Sequence, residues 1–438
     1  RLVESGPAGG AILATGIAAD LDLRKAISFD MGGTTAKICL IDDFAAQRAR
    51  EFEVDRQARF RKGSGLPLRI PVIEMVEVGA GGGSIARVDA LNQITIGPDS
   101  AGADPGPAAY GRGGEQPTIT DADIHLGRID PGRFAGGQVP LSPDRAEAVL
   151  SADIGKKLDL SSQMAAYGVT EMVDETMANA ARVHAVEQGK AASDYTLIAF
   201  GGAAPLHAGR LAEKLSVERI IVPTHAGVGS AVGFLRAPVA YEVVRSRNMR
   251  LRQYEPELIN AIFHEMYDEA KAVVEAGAPG SAVTEHRLAY MRYLGQGHEI
   301  AVNLPTRPLT DDDVDLVQAS FDATYERFYQ RTLPNAEVEA LTWALTLTTA
   351  SAPSETTSIE SAESRDATVA GSRAIFDPVF GEIIDIPLYW RPDLAPGDRI
   401  VGPAVITENE TSTFVPKIFD ARIAANGFII VERNSERM

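Results

Sequence analysis

An apolar run, Ile27-Ser28-Phe29, delivers Asp30 into Gly32, Gly33, Thr34 and Thr35, and a second apolar run, Ile38 to Ile41, leaves at once. This pattern predicts a strand, a tight glycine turn and a returning strand. Its residue types suit a polyphosphate. Glycines let backbone N–H groups approach an anion closely. The hydroxyls of Thr34 and Thr35 add donors, and Asp30, at a strand end, can hold a divalent metal or its water. The turn should therefore face an open cleft. It differs from the Walker pattern, in which the glycine loop opens a helix and ends in Lys-Ser/Thr. Taken alone, the same residues also suit a ligand-free Gly-Gly hairpin.

Other candidates lie further along. Gly81, Gly82 and Gly83 could form a second nest of N–H groups for phosphate or carboxylate, or simply a flexible loop. Gly201, Gly202 and Ala203 follow the buried-strand pattern Thr196 to Phe200 and precede a helix, where bare backbone lets a flat base lie close or lets helix and strand pack closely. Ligand sites in open α/β sheets gather at strand carboxyl ends, so this loop should share the hairpin's cleft. Asp104, Asp121 and Asp123 could bind a divalent cation through oxygen, or simply cap turns. Arg112 could grip a carboxylate or phosphate bidentately. His207, in the helix after the Gly-Gly turn, and His298, at a strand start, are candidate substrate contacts; a structural role is the alternative for each. Lys37 either pairs with phosphate or is solvated.

These residues need elements to position them. Helices are expected over 144–150, 165–188, 206–215, 258–276 and 311–329. Strands are expected over 51–54, 70–78, 196–200, 219–222, 287–294, 299–304, 341–349, 404–407 and 428–431. The strand–helix–strand run from 196 to 222 implies parallel pairing and a covered sheet. Residues 79–140, dense in Gly, Pro and Asp, read as a long functional loop region, and 351–372, rich in Ser, Thr, Ala and Glu, as a linker.

With 438 residues, several domains are expected, and 45% hydrophobic content is enough for a large core. The net charge of −18 argues against nucleic-acid binding, which is built on lysine and arginine. No run approaches the ~20 apolar residues a membrane span needs. A soluble, cytoplasmic enzyme fits both facts. A single cysteine, Cys39, excludes an internal disulfide; in its apolar strand it reads as packing.

Ser5 to Ala14, a turn entering a small-residue helix, followed by the Asp30 loop, resembles the acetate and sugar kinase, heat-shock chaperone and actin superfamily at its second phosphate loop. Val78 to Ala86, Gly97 to Gly114, Pro117 to Ala122, Phe200 to Ala208 and Gly295 to Glu299 narrow the likeness. Together they are similar to the hydantoinase A family of ATP-dependent N-methylhydantoinases, 5-oxoprolinases and acetone- and acetophenone-type carboxylase subunits.

The resemblance implies an α/β, actin-like (ribonuclease H-like) nucleotide-binding lobe over 1–235, with the Gly/Pro-rich region at 63–140. An α+β domain over 236–350, the linker and a small β module over 373–438 would follow. It implies ATP and Mg²⁺, or another divalent cation, as cofactors, Asp30 as the catalytic and metal-binding acid, and Gly201 to Ala203 against adenosine; Asp104 and Asp121 remain the candidates for further metal ligands. It also implies a hydantoinase B-type partner and, because the chain opens at Arg1 with one such loop, a first lobe supplied elsewhere. The reaction it implies is hydrolysis of a cyclic amide of the hydantoin or 5-oxoproline type after carbonyl phosphorylation. A ketone carboxylase subunit and a non-catalytic nucleotide-sensing module are the alternatives. Two departures stand out: Gly6 holds the place of an acid in the chaperones, and Lys37 that of a second acid in many family members.

Overall fold

The computed structural model describes residues 5–49, 52–54, 64–68, 72–349 and 364–437. The chain divides into two compact units, residues 1–236 with 354–438, and residues 237–353.

The first unit is built on a mixed ten-stranded sheet. At its centre, β1 (Lys25–Met31) pairs antiparallel with β2 (Ala36–Asp42), setting Asp30 opposite Lys37 and Met31 opposite Ala36. β1 runs parallel to β3 (Thr196–Phe200), with Asp30 opposite Phe200, and β3 runs parallel to β4 (Arg219–Val222). Strands buried on both faces need near-continuous apolar sequence, which 26–31, 38–41, 197–200 and 220–222 supply. Phe29, Met31, Ile38, Leu40, Phe200 and Ile221 are all at most 1% exposed. Each such side chain contributes ~1.5–3 kcal/mol of burial.

Five helices matter for the site. They are α1 (Ser5–Asp20), α2 (Ile119–His125), α3 (Ser162–Glu187), α4 (Ala204–Leu215) and α5 (Gly229–Arg236). α4 is the crossover between β3 and β4, as the sequence pattern required. α1 and α5 meet backbone to backbone. A Cβ on Gly233 would fall 1.8 Å from the Gly9 carbonyl oxygen, and one on Gly9 would fall 2.4 Å from that of Ser230. No larger residue fits at either place.

Three expectations are corrected. The segment 373–438 is no separate module. Its strands Asp398–Val401, Phe419–Ile423 and Ile429–Arg433 extend the large sheet, the last pairing antiparallel with β4. That pairing satisfies backbone groups β4 would otherwise leave open at an edge, a demand that no local pattern reveals. The remaining strands, Gly371–Asp377, Glu382–Trp390, Ala404–Thr407 and Ser412–Val415, form a four-stranded sheet in the same unit. Second, residues 79–140 are not one long loop: Ser84–Val88 and Ile94–Ser100 form a hairpin, and α2 follows. Third, α5 was not foreseen, because Gly229, Ser230 and Gly233 dilute its apolar period. Most of the expected linker, residues 351–363, lies outside the described residues.

The second unit is a four-stranded antiparallel sheet in the order 240–250, 338–349, 283–293, 300–304. Helices Pro256–Gly277 and Val314–Tyr329 cover it, and Phe263 meets Trp343 edge-on with ring centres 6.0 Å apart. His298 is exposed in the loop that precedes strand 300–304.

Candidate functional site

β1 ends at Met31, and Gly32 to Thr35 turn the chain into β2, closed by the Gly32 N–H donating to the Thr35 carbonyl at 3.1 Å. Gly33 and Thr34 are exposed, and a Cβ built on Gly32 or Gly33 would meet nothing within 4 Å. One face of the turn is therefore open, as the sequence required. Among the described residues no protein group accepts from the amides of Gly33 or Thr34.

The other face is clamped. Gly82 donates its N–H to the Gly32 carbonyl at 3.0 Å, and Gly83 to that of Gly33 at 2.7 Å. Gly81 lies so close that a Cβ there would sit 2.6 Å from the Thr34 nitrogen. Its own amide donates to the Ser84 hydroxyl at 2.9 Å. Thr120, at the start of α2, holds this loop in turn by donating its N–H and hydroxyl to the Gly82 carbonyl at 2.7 and 2.9 Å. Gly81, Gly82 and Gly83 are consequently no anion nest: their amides are already spent, and they act as the rigid back of the hairpin turn.

Asp30 lies half-buried beside this turn. The Ser230 hydroxyl of α5 donates to its Oδ2 at 2.5 Å. A Cβ on Gly10 of α1 would fall 2.9 Å from the same oxygen. Burial pushes the Asp30 carboxyl above its ordinary range, while the Ser230 hydrogen bond and the charge of Lys37 pull the other way. Lys37 itself reaches Glu77 at 4.0 Å. Gly201 closes the pocket from β3. Its φ is +102°, and a Cβ there would lie 2.4 Å from the Met31 carbonyl and 2.7 Å from Asp30 Oδ1. Ala203 donates to that same carbonyl at 3.0 Å. The two glycine loops, far apart in sequence, thus meet at Asp30. Gly202 is exposed, and Thr411 donates its hydroxyl to the Gly202 carbonyl at 3.0 Å. Gly201→Ala combines a left-handed φ with a backbone clash, so it should cost roughly 1–3 kcal/mol in strain alone. The urea midpoint reads this; an unchanged midpoint would show that β1 and β3 do not approach so closely.

Several sequence candidates take other roles. Asp121 is fully buried and accepts from the amides of Ala108, Ala109 and Thr118 and from the Thr118 hydroxyl, at 2.7 to 3.2 Å. It caps α2 and has no free oxygen to offer a metal. Asp104 is exposed in a turn. Among the described residues no three His, Cys, Asp or Glu side chains gather to hold a metal. Arg112 is exposed, stacked 5.9 Å from the Tyr110 ring centre. His207 is no substrate contact: it is completely buried, with Nδ1 2.8 Å from Asp174 of α3 and Nε2 3.2 Å from Asp123 of α2. Arg128 adds a contact to Asp123 at 3.3 Å. Cys39 is buried, and burial pushes its thiol up to about 12, so it packs and does not react.

Sequence reasoning missed Ser230. A hydroxyl between glycines in an eight-residue helix carries no local signal; only the packing of α5 on α1 brings it to Asp30.

Residues 1–243 match the profile described as Hydantoinase/oxoprolinase, and 248–432 match the Hydantoinase/oxoprolinase C-terminal domain. The chain belongs to this family. It is 35% identical to an uncharacterized protein of Methanocaldococcus jannaschii over 98% of this chain and 62% of that one. It is 29% identical to caprolactamase subunit alpha of Pseudomonas jessenii, over 94% of this chain and 59% of that protein. A nucleotide-free structure of acetone carboxylase, from work on ATP-dependent acetone carboxylation, superposes with a TM-score of 0.81 at 27% identity, covering 98% of this chain and 61% of that one. The chain thus spans about three fifths of the length of these relatives, and the mixed α/β fold is shared with the carboxylase.

Proposed function

We propose that this chain carries one side of the ATP site of an enzyme that hydrolyses cyclic amides, in the manner of the caprolactamase it resembles. The observation that carries the reading is the meeting of Asp30, the open Gly32–Thr35 turn and the Gly201 loop at the ends of two adjacent parallel strands. This is the arrangement expected where a fold cradles phosphates beside a lone carboxylate.

A ring amide is a poor electrophile. ATP would supply a phosphoryl group to its carbonyl oxygen; water would then add to the activated carbon, the ring C–N bond would break with the nitrogen leaving as the protonated amine, and hydrolysis of the resulting acyl phosphate would release carboxylate and phosphate. This chain's residues would position that chemistry. The open amides of Gly33 and Thr34 and the Thr34 and Thr35 hydroxyls would hold phosphate, while the exposed Gly202 beside Ala203 would leave room for the nucleoside and Gly201 serves the close packing of β3 on β1. Asp30 fits Mg²⁺ that arrives with the nucleotide. A hard cation of this kind takes one or two carboxylates plus phosphate oxygens and water, so no further acidic ligand is required. The actin-like character of the lobe belongs to the same reading, supported by the strand order around β1.

The relative is named as a subunit, so a second subunit of the hydantoinase B type is part of the proposal, as is a cytoplasmic setting. Among the described residues no helix is long and apolar enough to cross a membrane. The likeness to acetone carboxylase favours a second reading, a ketone carboxylase subunit.

Phosphate release from ATP by the assembled enzyme separates these. Release that rises with caprolactam, a hydantoin or 5-oxoproline is the expected result. Release that needs acetone and bicarbonate would establish the carboxylase. Slow release indifferent to all of them would reduce the chain to a nucleotide-sensing module. Arg112 and His298, both exposed, stay within the proposal as substrate contacts to be probed by the same assay.

A further inference from the structure

A cavity of about 330 Å³ opens on the first unit, lined by Gly132, Arg133, Gly136, Gly137, Trp390 and Asn409, none of them among the residues placed around Asp30. The Arg133 guanidinium lies over the Trp390 ring, 4.7 Å from its centre. Stacking on an indole orients the planar fork and leaves its N–H edge free. Two of the neighbouring carboxylates are committed. Asp130 pairs with Arg373 at 2.7 Å and Glu408 with Arg391 at 2.7 Å. Among the described residues nothing pairs with Arg133, and the Trp390 N–H and the Asn409 amide have no protein partner. The backbone here is fixed: Gly136 donates its N–H to the Asn409 carbonyl at 3.2 Å, and Gly137 to that of Arg133 at 3.3 Å.

We propose that this cavity is a binding site for a small monocarboxylate with a flat or ring-shaped apolar body. One unpaired guanidinium matches one carboxylate bidentately. A phosphate group would need several converging donors, and the glycine amides that could supply them are already engaged, those of Gly136 and Gly137 with carbonyls and that of Gly132 with the Asp130 carboxylate. The indole face offers an apolar wall for a ring, and the volume lies at the small end of ligand pockets. Asn409 supplies a neutral donor and acceptor for a further polar group.

The site is independent of the nucleotide reading and is tested on the chain without ATP. The chain holds two tryptophans. Trp343 is buried with its N–H on the Arg247 carbonyl, so Trp390 is the one that reports on this cavity. Benzoate should change tryptophan fluorescence saturably, and benzamide, the same shape without the charge, should not. Arg133→Gln should weaken benzoate by more than about tenfold, the loss expected for one charge-assisted pair. Arg133→Lys should recover only part of it, because the fork is gone. Trp390→Phe should remove the signal, with calorimetry still detecting weakened binding. Arg133 is exposed, so these variants should keep the native circular dichroism. Benzoate binding that is non-saturable, equal for benzamide, unchanged in Arg133→Gln, or matched by inorganic phosphate would overturn the assignment.

Discussion

Asp30→Asn should lower nucleotide-dependent turnover of the assembled enzyme by at least about 100-fold, the order seen when a pre-set electrostatic partner of a transferring group is lost, while the folded chain stays as stable as before or becomes slightly more so. The two halves of this expectation come from one environment. Burial raises the Asp30 carboxyl above its unfolded value, ahead of the opposing pulls of Ser230 and Lys37. A carboxylate whose folded value is raised weakens the fold at every pH above its unfolded value, because ionisation is harder in the folded state. An amide keeps the shape and can still accept from Ser230, without the charge. A residue kept for stability would behave in the opposite way, and a group retained despite its cost to the fold is the mark of a functional site. Urea denaturation at neutral pH, set beside phosphate release, reads both. Lost stability with turnover retained would make Asp30 a structural residue and remove the basis of the proposed nucleotide site.

His207→Ala should destabilise the first unit by about 3–5 kcal/mol, the cost of leaving a buried ion pair broken. The imidazole is wedged between Asp123 and Asp174, each 2% exposed, so its removal strands carboxylates in the core. The network also carries a pH signature. Burial works against a charged imidazole, but the two carboxylates outweigh it and hold His207 up to about 10. A raised value stabilises in full below the unfolded value of about 6.5 and is lost as pH climbs from there to about 10. Burial likewise opposes the Asp123 charge, and His207 with Arg128 overcomes it, holding that carboxyl below its ordinary value. Its contribution is present above about pH 4 and lost as pH falls below that. The contribution of this network to stability should therefore be greatest between about pH 4 and 6.5 and decline on both sides. In His207→Ala the alkaline decline between about 6.5 and 10 should disappear. Denaturation midpoints across that range decide it; an alkaline slope that survives the substitution would mean the histidine is neutral in the fold. The network joins α2, α3 and α4, and α2 and α4 also brace the hairpin turn, through Thr120 and Ala203. Loosening it should blunt the site indirectly.

What the sequence determined by itself was local. An apolar run broken by Asp30 and two glycines can only be a strand ending in a tight turn, and the hairpin stands where the pattern put it. The parallel strands around α4 followed from their apolar runs, and the family from the glycine motifs together. The proposed function could be read this far because phosphate recognition uses backbone, and glycine marks where backbone is bare.

Only the tertiary structure decided which polar groups were left over. Gly81 to Gly83 and Gly32 to Thr35 look alike as sequence. Yet the first stretch spends its amides on carbonyls of the second, and only the second keeps an open face. Asp121 and Asp30 are both aspartates beside glycine-rich turns. One is saturated by four donors, while Ser230 holds the other at a single oxygen. His207 had the spacing of a cleft residue, but two partners, Asp123 and Asp174, drew it into the core. The C-terminal strands joined the large sheet because β4 needed an edge partner. A hydrogen bond can be used once, and which acceptor takes it depends on residues tens or hundreds of positions away. That allocation separates a binding site from a braced turn, and no local pattern contains it.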